Sequence, residues 1–384
     1  MSRAVETFRS GEADGVSLHQ GSVASGRERL VSLDALRGVA ISLVIIHHTW
    51  FRLPEAQDSW LARSVASIGW AGVDLFFAIS GFLITTILLR TTEGESLWPF
   101  YIKRFFRIIP IYVIAVALYF ALALVLGHES AILHRIWINF ALLTAWAIPF
   151  LGEHGVPYTI TWSVSVEEFA YILLGLGLLA GRKHFFTGLW LIVLLALLVR
   201  VLSIAWFSVE PITLYYFAPG RIDSIAMGGV MAALHPHTIR RLSVPIMVPW
   251  LTWIGVIAAC AIVKRESVVV ATFGYTAIAC SSAWLVLCVA SRQVASPWRL
   301  TRNLASFGLV SYFIYLFHGF VLGAIALLVP SKVAAAIGVF PIAIVVALAT
   351  YLLAMASWRL FEYPLILRGR RLAAKCETAN LVDG

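Results

Sequence analysis

The chain has 384 residues, of which 60% are hydrophobic and 13% charged, about half the ~25% charge usual in soluble domains, so water is excluded as its main solvent. A formal net charge of +9 does not signal nucleic acid, because the basic residues are scattered through short loops between apolar runs instead of gathering on one face. Runs long enough to cross a bilayer, about 20 residues at 1.5 Å each, recur from 35 to 360, and one all-α, polytopic membrane domain accounts for nearly everything.

Residues 1–32 are polar, rich in Gly and Ser, and lack the apolar core of a cleavable signal peptide; they are expected to form a disordered cytoplasmic tail. Eleven apolar segments follow, at 35–52, 68–89, 108–127, 135–151, 162–181, 185–207, 212–234, 246–263, 268–290, 304–329 and 334–358. The fourth is short and carries Asn139 and Pro149. The distribution of Lys and Arg, which concentrate on the cytoplasmic side, decides whether it spans. If it does not cross, the loop bases divide 17 to 6 in favour of the side holding both termini; if it crosses, they divide 9 against 14. The sequence therefore predicts a helical bundle of about ten transmembrane helices with both termini cytoplasmic. Segment 135–151 is then a re-entrant or interfacial element, and residues 367–384 are a cytoplasmic C-terminal tail.

Ionisable groups inside a span cost several kcal/mol unless paired or hydrated, so each is a candidate for function. The first segment, LDALRGVAISLVIIHHTW, places Arg37 near its start and His47 and His48 near its end. Arg37 and His48 lie about three turns and ~16 Å apart on one helix face, whereas His47 points ~80° away. The alternative is that Arg37 snorkels and the histidines bond a neighbouring helix. Asp74 is a lone acid in the second segment. Arg104 and Arg107, three apart, present two guanidiniums on one face at the start of the third. Such a pair suits the phosphates of a nucleotide-bearing acyl donor, or serves only as a basic anchor.

Glu167 and Glu168 open the fifth segment, and Arg221 and Asp223 lie in the seventh. An Arg and an Asp two apart do not face each other on a helix, so each is expected to pair with another helix, Arg221 with Glu167 or Glu168; a purely structural ion pair is the competing reading. His318 reads as a packing histidine, with a second acid or base as its other reading. Glu362 is expected to cap or pair locally with Arg359. Cys260, Cys280, Cys288 and Cys376 have no metal or redox spacing and read as small hydrophobes; no metal site is expected.

These blocks, in this order, resemble the membrane acyltransferase 3 family of bacterial surface-sugar and macrolide O-acyltransferases, from about Leu33 to Pro364. LDALRGVAISLVIIHH is similar to the family's first-helix signature of a basic residue, ten others and a His, which falls on Arg37 and His48. GVDLFFAISGFLIT resembles its second-helix block, RFFR its two-arginine motif, WSVSVEE its Ser-Val-Glu element on Glu167, and GRID its Arg and Asp on Arg221 and Asp223; SYFIYLFH and FEYP are weaker family elements. Ala170 departs from the aromatic usual there. Some relatives carry an extracellular hydrolase-like domain, which is not expected here.

The resemblance implies an acyltransferase 3 domain over residues 33–366 in the bacterial inner membrane. It would move an acetyl or other short acyl group from acyl-coenzyme A to a hydroxyl of a carbohydrate or glycolipid acceptor. No bound cofactor is expected, acetyl-CoA being the donor substrate. His48 would be general base or acyl carrier with Glu167 as its catalytic partner. Arg37, Arg104 and Arg107 would bind the donor, and Arg221, Asp223, Asp74 and His318 would bind or orient the acceptor. A proton-coupled transporter or flippase of a glycan precursor, and a non-catalytic partner of a polysaccharide assembly complex, are the competing classes. No internal repeat or pair of broken helices in corresponding halves favours the transporter.

Overall fold

The computed structural model describes residues 20–56, 60–91, 96–127, 130–234, 236–292 and 298–382. Among them every regular element is helical, as a chain in lipid requires when each backbone N–H and C=O must find its partner within its own segment. The elements that matter here are α1 (Gln20–Arg52), α2 (Trp60–Gly69), α3 (Gly72–Leu88), α4 (Trp98–Val125), α5 (Ile136–Phe140), α6 (Thr144–Leu151), α7 (Trp162–Leu179), α8 (Arg182–Ala205), α9 (Ala218–Arg221), α10 (Asp223–Ala232), α11 (Met247–Val263), α12 (Tyr275–Ala290), α13 (Arg299–Leu309), α14 (Ser311–Leu328), α15 (Val339–Ser357) and α16 (Tyr363–Val382).

Eight helices among the described residues are long and apolar enough to cross a membrane. The protein is thus a multi-pass membrane helical bundle. Two segments counted among the expected ten fall short by that measure. Helix α11 has 17 residues, and segment 212–234 is no continuous helix, because it breaks at Ile222 between α9 and α10.

Segment 135–151 folds as α5 and α6, neither long enough to span. The chain turns between them through Leu142 at φ +59°, which an L-residue seldom adopts. Asn139, fully buried, braces the break. Its Nδ2 donates to the Tyr158 carbonyl at 2.9 Å and to Thr161 Oγ1 at 3.0 Å, and its own carbonyl accepts from the Tyr112 hydroxyl at 2.7 Å. The residue that makes the segment look weak in the sequence is the one that lets its backbone bend inside protein.

Helices in lipid approach closely where side chains are small, and two reciprocal glycine contacts set the core. A Cβ on Gly81 of α3 would collide with the Ile225 carbonyl of α10, and one on Gly228 of α10 with the Ala78 carbonyl of α3. Gly38 of α1 and Gly308 of α13 meet the carbonyls of Leu304 and Asp34 in the same manner.

Helices extend past both ends of the apolar core. Helix α1 begins at Gln20, inside the segment read as a tail, and residues 1–19 lie outside the described residues. At the other end the chain does not stop at 358 but passes through a π-helical turn, Trp358–Glu362, into α16. Residues 367–382 are therefore helix. Helix α16 packs on the start of α4, with Gly369 against Phe106 and Lys103 Nζ 3.0 Å from Glu377 Oε1. Glu362 accepts from Ser357 Oγ at 2.9 Å, so its local partner is that serine in place of Arg359.

Candidate active site

Helix α1 carries His47 and His48 side by side, and the 100° step between them sends them to different neighbours. Buried His47 has its Nδ1 2.7 Å from the Ala66 carbonyl oxygen, a bond that ties α1 to α2. Half-buried His48 has its Nδ1 2.7 Å from Nε2 of His318 on α14, the two rings lying 11° from parallel. His318 is buried, and its own Nδ1 lies 3.0 Å from the Ile314 carbonyl.

A carbonyl oxygen can only accept, so His318 carries its proton on Nδ1 and turns the lone pair of Nε2 toward the Nδ1–H of His48. With both rings neutral, the lone pair of His48 is left on Nε2, on the side away from His318. His318, read from the sequence as a packing histidine or a second acid or base, thus accepts the Nδ1–H of His48.

Hydroxyl bonds fix helix α14 to α7 and to the segment that precedes it. The Tyr158 hydroxyl donates to the Leu316 carbonyl. Tyr315 donates to the Ile160 carbonyl at 3.1 Å and accepts from Ser163 Oγ at 2.8 Å. His318 therefore lies within one turn of two residues, Tyr315 and Leu316, that hold the helix in place.

Glu167 occupies a second cluster. Its carboxylate accepts from Ser80 Oγ at 2.9 Å and from the Tyr171 hydroxyl at 2.8 Å. The ring of Tyr171 backs the guanidinium of Arg104, 4.9 Å from its centroid, with Phe100 at 5.7 Å on another side. Such cation–π packing contributes about 0.5–2 kcal/mol. Arg107 lies one turn along, near enough to Arg104 and Glu362 for their charges to interact. Arg37 pairs with Asp34 of its own helix at 3.2 Å.

The third cluster corrects the sequence reading. Arg221 does not pair with Glu167 or Glu168: its Nη2 donates to Asp74 Oδ1 at 2.7 Å, and its face lies over Tyr275 and Tyr215, at 4.2 and 5.0 Å. Asp74 also accepts from Ser224 Oγ at 2.7 Å. Asp223 pairs with Arg200 at 2.9 Å and accepts from Thr276 Oγ1 at 2.7 Å. Arg200 further donates to the carbonyls of Gly220 and Thr272. All four charged side chains are fully buried. The break at Ile222 is what lets neighbouring Arg221 and Asp223 reach partners on different helices, α3 and α8.

The family model described as an acyltransferase domain, the acyltransferase 3 model, matches residues 30–359. The chain belongs to the acyltransferase 3 family. Similar proteins of this kind include the peptidoglycan O-acetyltransferase OatA of Listeria monocytogenes, 28% identical over 237 residues, which are 56% of this chain and 35% of that protein. A putative O-acetyltransferase of Staphylococcus aureus is 27% identical over 223 residues, 53% of this chain and 34% of that one. A putative acetyltransferase of Acidianus two-tailed virus is 26% identical over 141 residues, 37% and 38% of the two chains. The matched stretches thus span about a third of the lengths of these relatives. No solved structure matches.

In this family member the sequence reading missed Arg200, although an arginine in the middle of an apolar run was itself the signal. It also missed the pairing of His48 with His318. Nothing in the one-dimensional pattern joins residues 270 positions apart.

Proposed function

We propose that the protein transfers an acetyl group, or another short acyl group, from acyl-coenzyme A to a hydroxyl of a carbohydrate-like acceptor, with His48 as the general base. The observation that carries this reading is the His48–His318 bond, because it fixes the tautomer that leaves His48 Nε2 free to accept a proton. In the reaction the acceptor hydroxyl oxygen attacks the thioester carbonyl as its proton passes to Nε2. The C–S bond breaks, and the departing coenzyme A thiolate recovers that proton from the imidazolium. The positive charge formed on His48 spreads through its Nδ1–H to His318 and onward to the Ile314 carbonyl.

Arg104 and Arg107 suit the donor's phosphates. Glu167, which fixes Tyr171 beneath Arg104, is assigned with them as a positioning residue. Asp74, Arg221, Asp223 and Arg200 are assigned to holding the helix break and, through it, the relation of α3, α8 and α10. The relatives named as O-acetyltransferases favour acetyl, and the Listeria protein's name favours a cell-wall glycan as the class of acceptor. The excess of basic residues on one set of loops supports an inner-membrane protein with both termini in the cytoplasm and the Arg104 end on the donor side.

The test supplies purified full-length protein in nanodiscs with labelled acetyl-CoA and surface glycans from the source cells. Free coenzyme A is expected to appear in step with labelled glycan, and His48→Ala at equal protein level to abolish both. Transfer by that variant at the parental rate would remove His48 from the mechanism.

A further inference from the structure

Arg265 has no place in the chemistry above, yet its position is built. Helix α11 ends at Val263, and the next residue, Lys264, takes φ +76°, a left-handed conformation that costs about a kcal/mol or more in a non-glycine residue. That turn stops the helix and brings the next residue, half-buried Arg265, back over the bundle. Its guanidinium lies 4.9 Å from the ring centre of Tyr215 and 6.0 Å from that of Trp70.

The platform beneath it adjoins the histidines. Tyr215 donates its hydroxyl to the Trp70 carbonyl at 3.2 Å. Neighbouring Gly69 packs so tightly on α1 that a Cβ there would come within 2.9 Å of the His47 Cβ. The rings of His47 and His48 are 5.6 Å apart, and the charge of Arg265 reaches both.

Arg37, Arg200 and Arg221 each pair with a carboxylate. Arg265 makes no ion pair and no hydrogen bond among the described residues, although Tyr216 beside it also lies against exposed Glu153. A guanidinium laid on aromatic faces keeps its N–H edge outward, in the plane that matches two oxygens of one oxyanion.

We infer that Arg265 is a specificity residue for the acceptor, binding a carboxylate or phosphate oxyanion of the glycan and so placing its hydroxyl beside His48. This rests on the acyltransfer reading above. The oxyanion belongs either to an acidic sugar or to the diphosphate of a lipid-linked precursor, and the two sources share the same recognition chemistry.

Glycans are compared by mass spectrometry from cells making the wild-type protein, Arg265→Gln, Arg265→Lys or His48→Ala at matched levels. The acetylated sugar is expected to carry or adjoin an anionic group. Arg265→Gln should raise the acceptor KM roughly 10- to 100-fold with kcat little changed, the loss of one charge-assisted contact, and Arg265→Lys should recover part of it. Sodium glucuronate and inorganic pyrophosphate, added as competitors to the nanodisc assay, assign the source. The one that inhibits wild type should inhibit Arg265→Gln at least tenfold less, and inhibition by neither overturns the inference. It is equally overturned by a neutral acetylated sugar, by unchanged KM in Arg265→Gln, or by a loss confined to kcat. If no glycan acetylation depends on the protein or on His48, the acyltransfer reading fails first and this inference falls with it.

Discussion

Two regions of this bundle hold buried ionisable groups, and they are built on opposite plans. Around Ile222 the four charges are fully buried and matched one to one, Arg221 with Asp74 and Arg200 with Asp223. Around His48 the paired groups are two imidazoles, one of them only partly buried. There the bonds form a directed chain, Ile314 carbonyl to His318 to His48, that ends on a free lone pair. Buried ion pairs resist the loss of either partner, whereas an open-ended chain delivers a reactive atom. The cost of a polar residue in lipid flags both regions equally, and only the partner list tells a brace from a site.

Substitution breaks the comparison most sharply at His48. His48→Ala should lower acyl transfer roughly 100- to 10,000-fold, the usual worth of a positioned general base, with the thermal transition of the purified protein moved little. At the other region the signs reverse. Asp223→Asn or Arg200→Met leaves a buried charge without its partner, which costs about 3–5 kcal/mol. Thermal unfolding in detergent should fall steeply and activity should fall only in proportion to the folded fraction. Normal melting with a large specific kcat loss would show that the pairs belong to the chemistry after all.

His318→Ala tests the chain itself. His48 would keep its imidazole but lose the acceptor that holds its Nδ1–H, and kcat should drop roughly 10- to 100-fold, the range seen when an orienting partner is removed. Because Asn and Gln side chains can also accept a hydrogen bond, His318→Gln should restore part of the rate. Equal loss in both variants, without a change in melting, would make His318 more than an orienting group.

How much of this was legible in the sequence follows from what each feature depends on. Spans depend on local composition, and eight of them were readable as apolar runs. The non-spanning nature of 135–151 was readable because charge bias in loops is additive along the chain. The sequence also separated His48 from His47, since the helical period alone does that. Partners are a different matter. Arg221 was expected to meet Glu167 or Glu168, but the break at Ile222 turned it to Asp74, and no local pattern reports which helices a broken segment lies between. The C-terminal continuation was lost for the converse reason. Residues 363–382 are too polar to read as a span, yet α16 is held by packing on α4 through Gly369, a contact composition does not announce.

The smallest effect is expected at that same contact, and it completes the contrast between pairs. Lys103 and Glu377 meet at 3.0 Å, but their side chains are 49% and 51% exposed, so water screens their attraction and two long side chains are restrained to make it. Glu377→Gln should therefore shift stability by no more than about 0.5 kcal/mol and less still in high salt, leaving the donor KM unchanged. Gly369→Leu, by contrast, forces a side chain against Phe106. It should lift α16 off the start of α4, where Arg104 and Arg107 sit, and so raise the donor KM while leaving the acceptor KM alone. A Gly369→Leu protein with wild-type donor KM would mean that α16 is only an appendage, and that the arginines hold their geometry from α4 and Tyr171 without it.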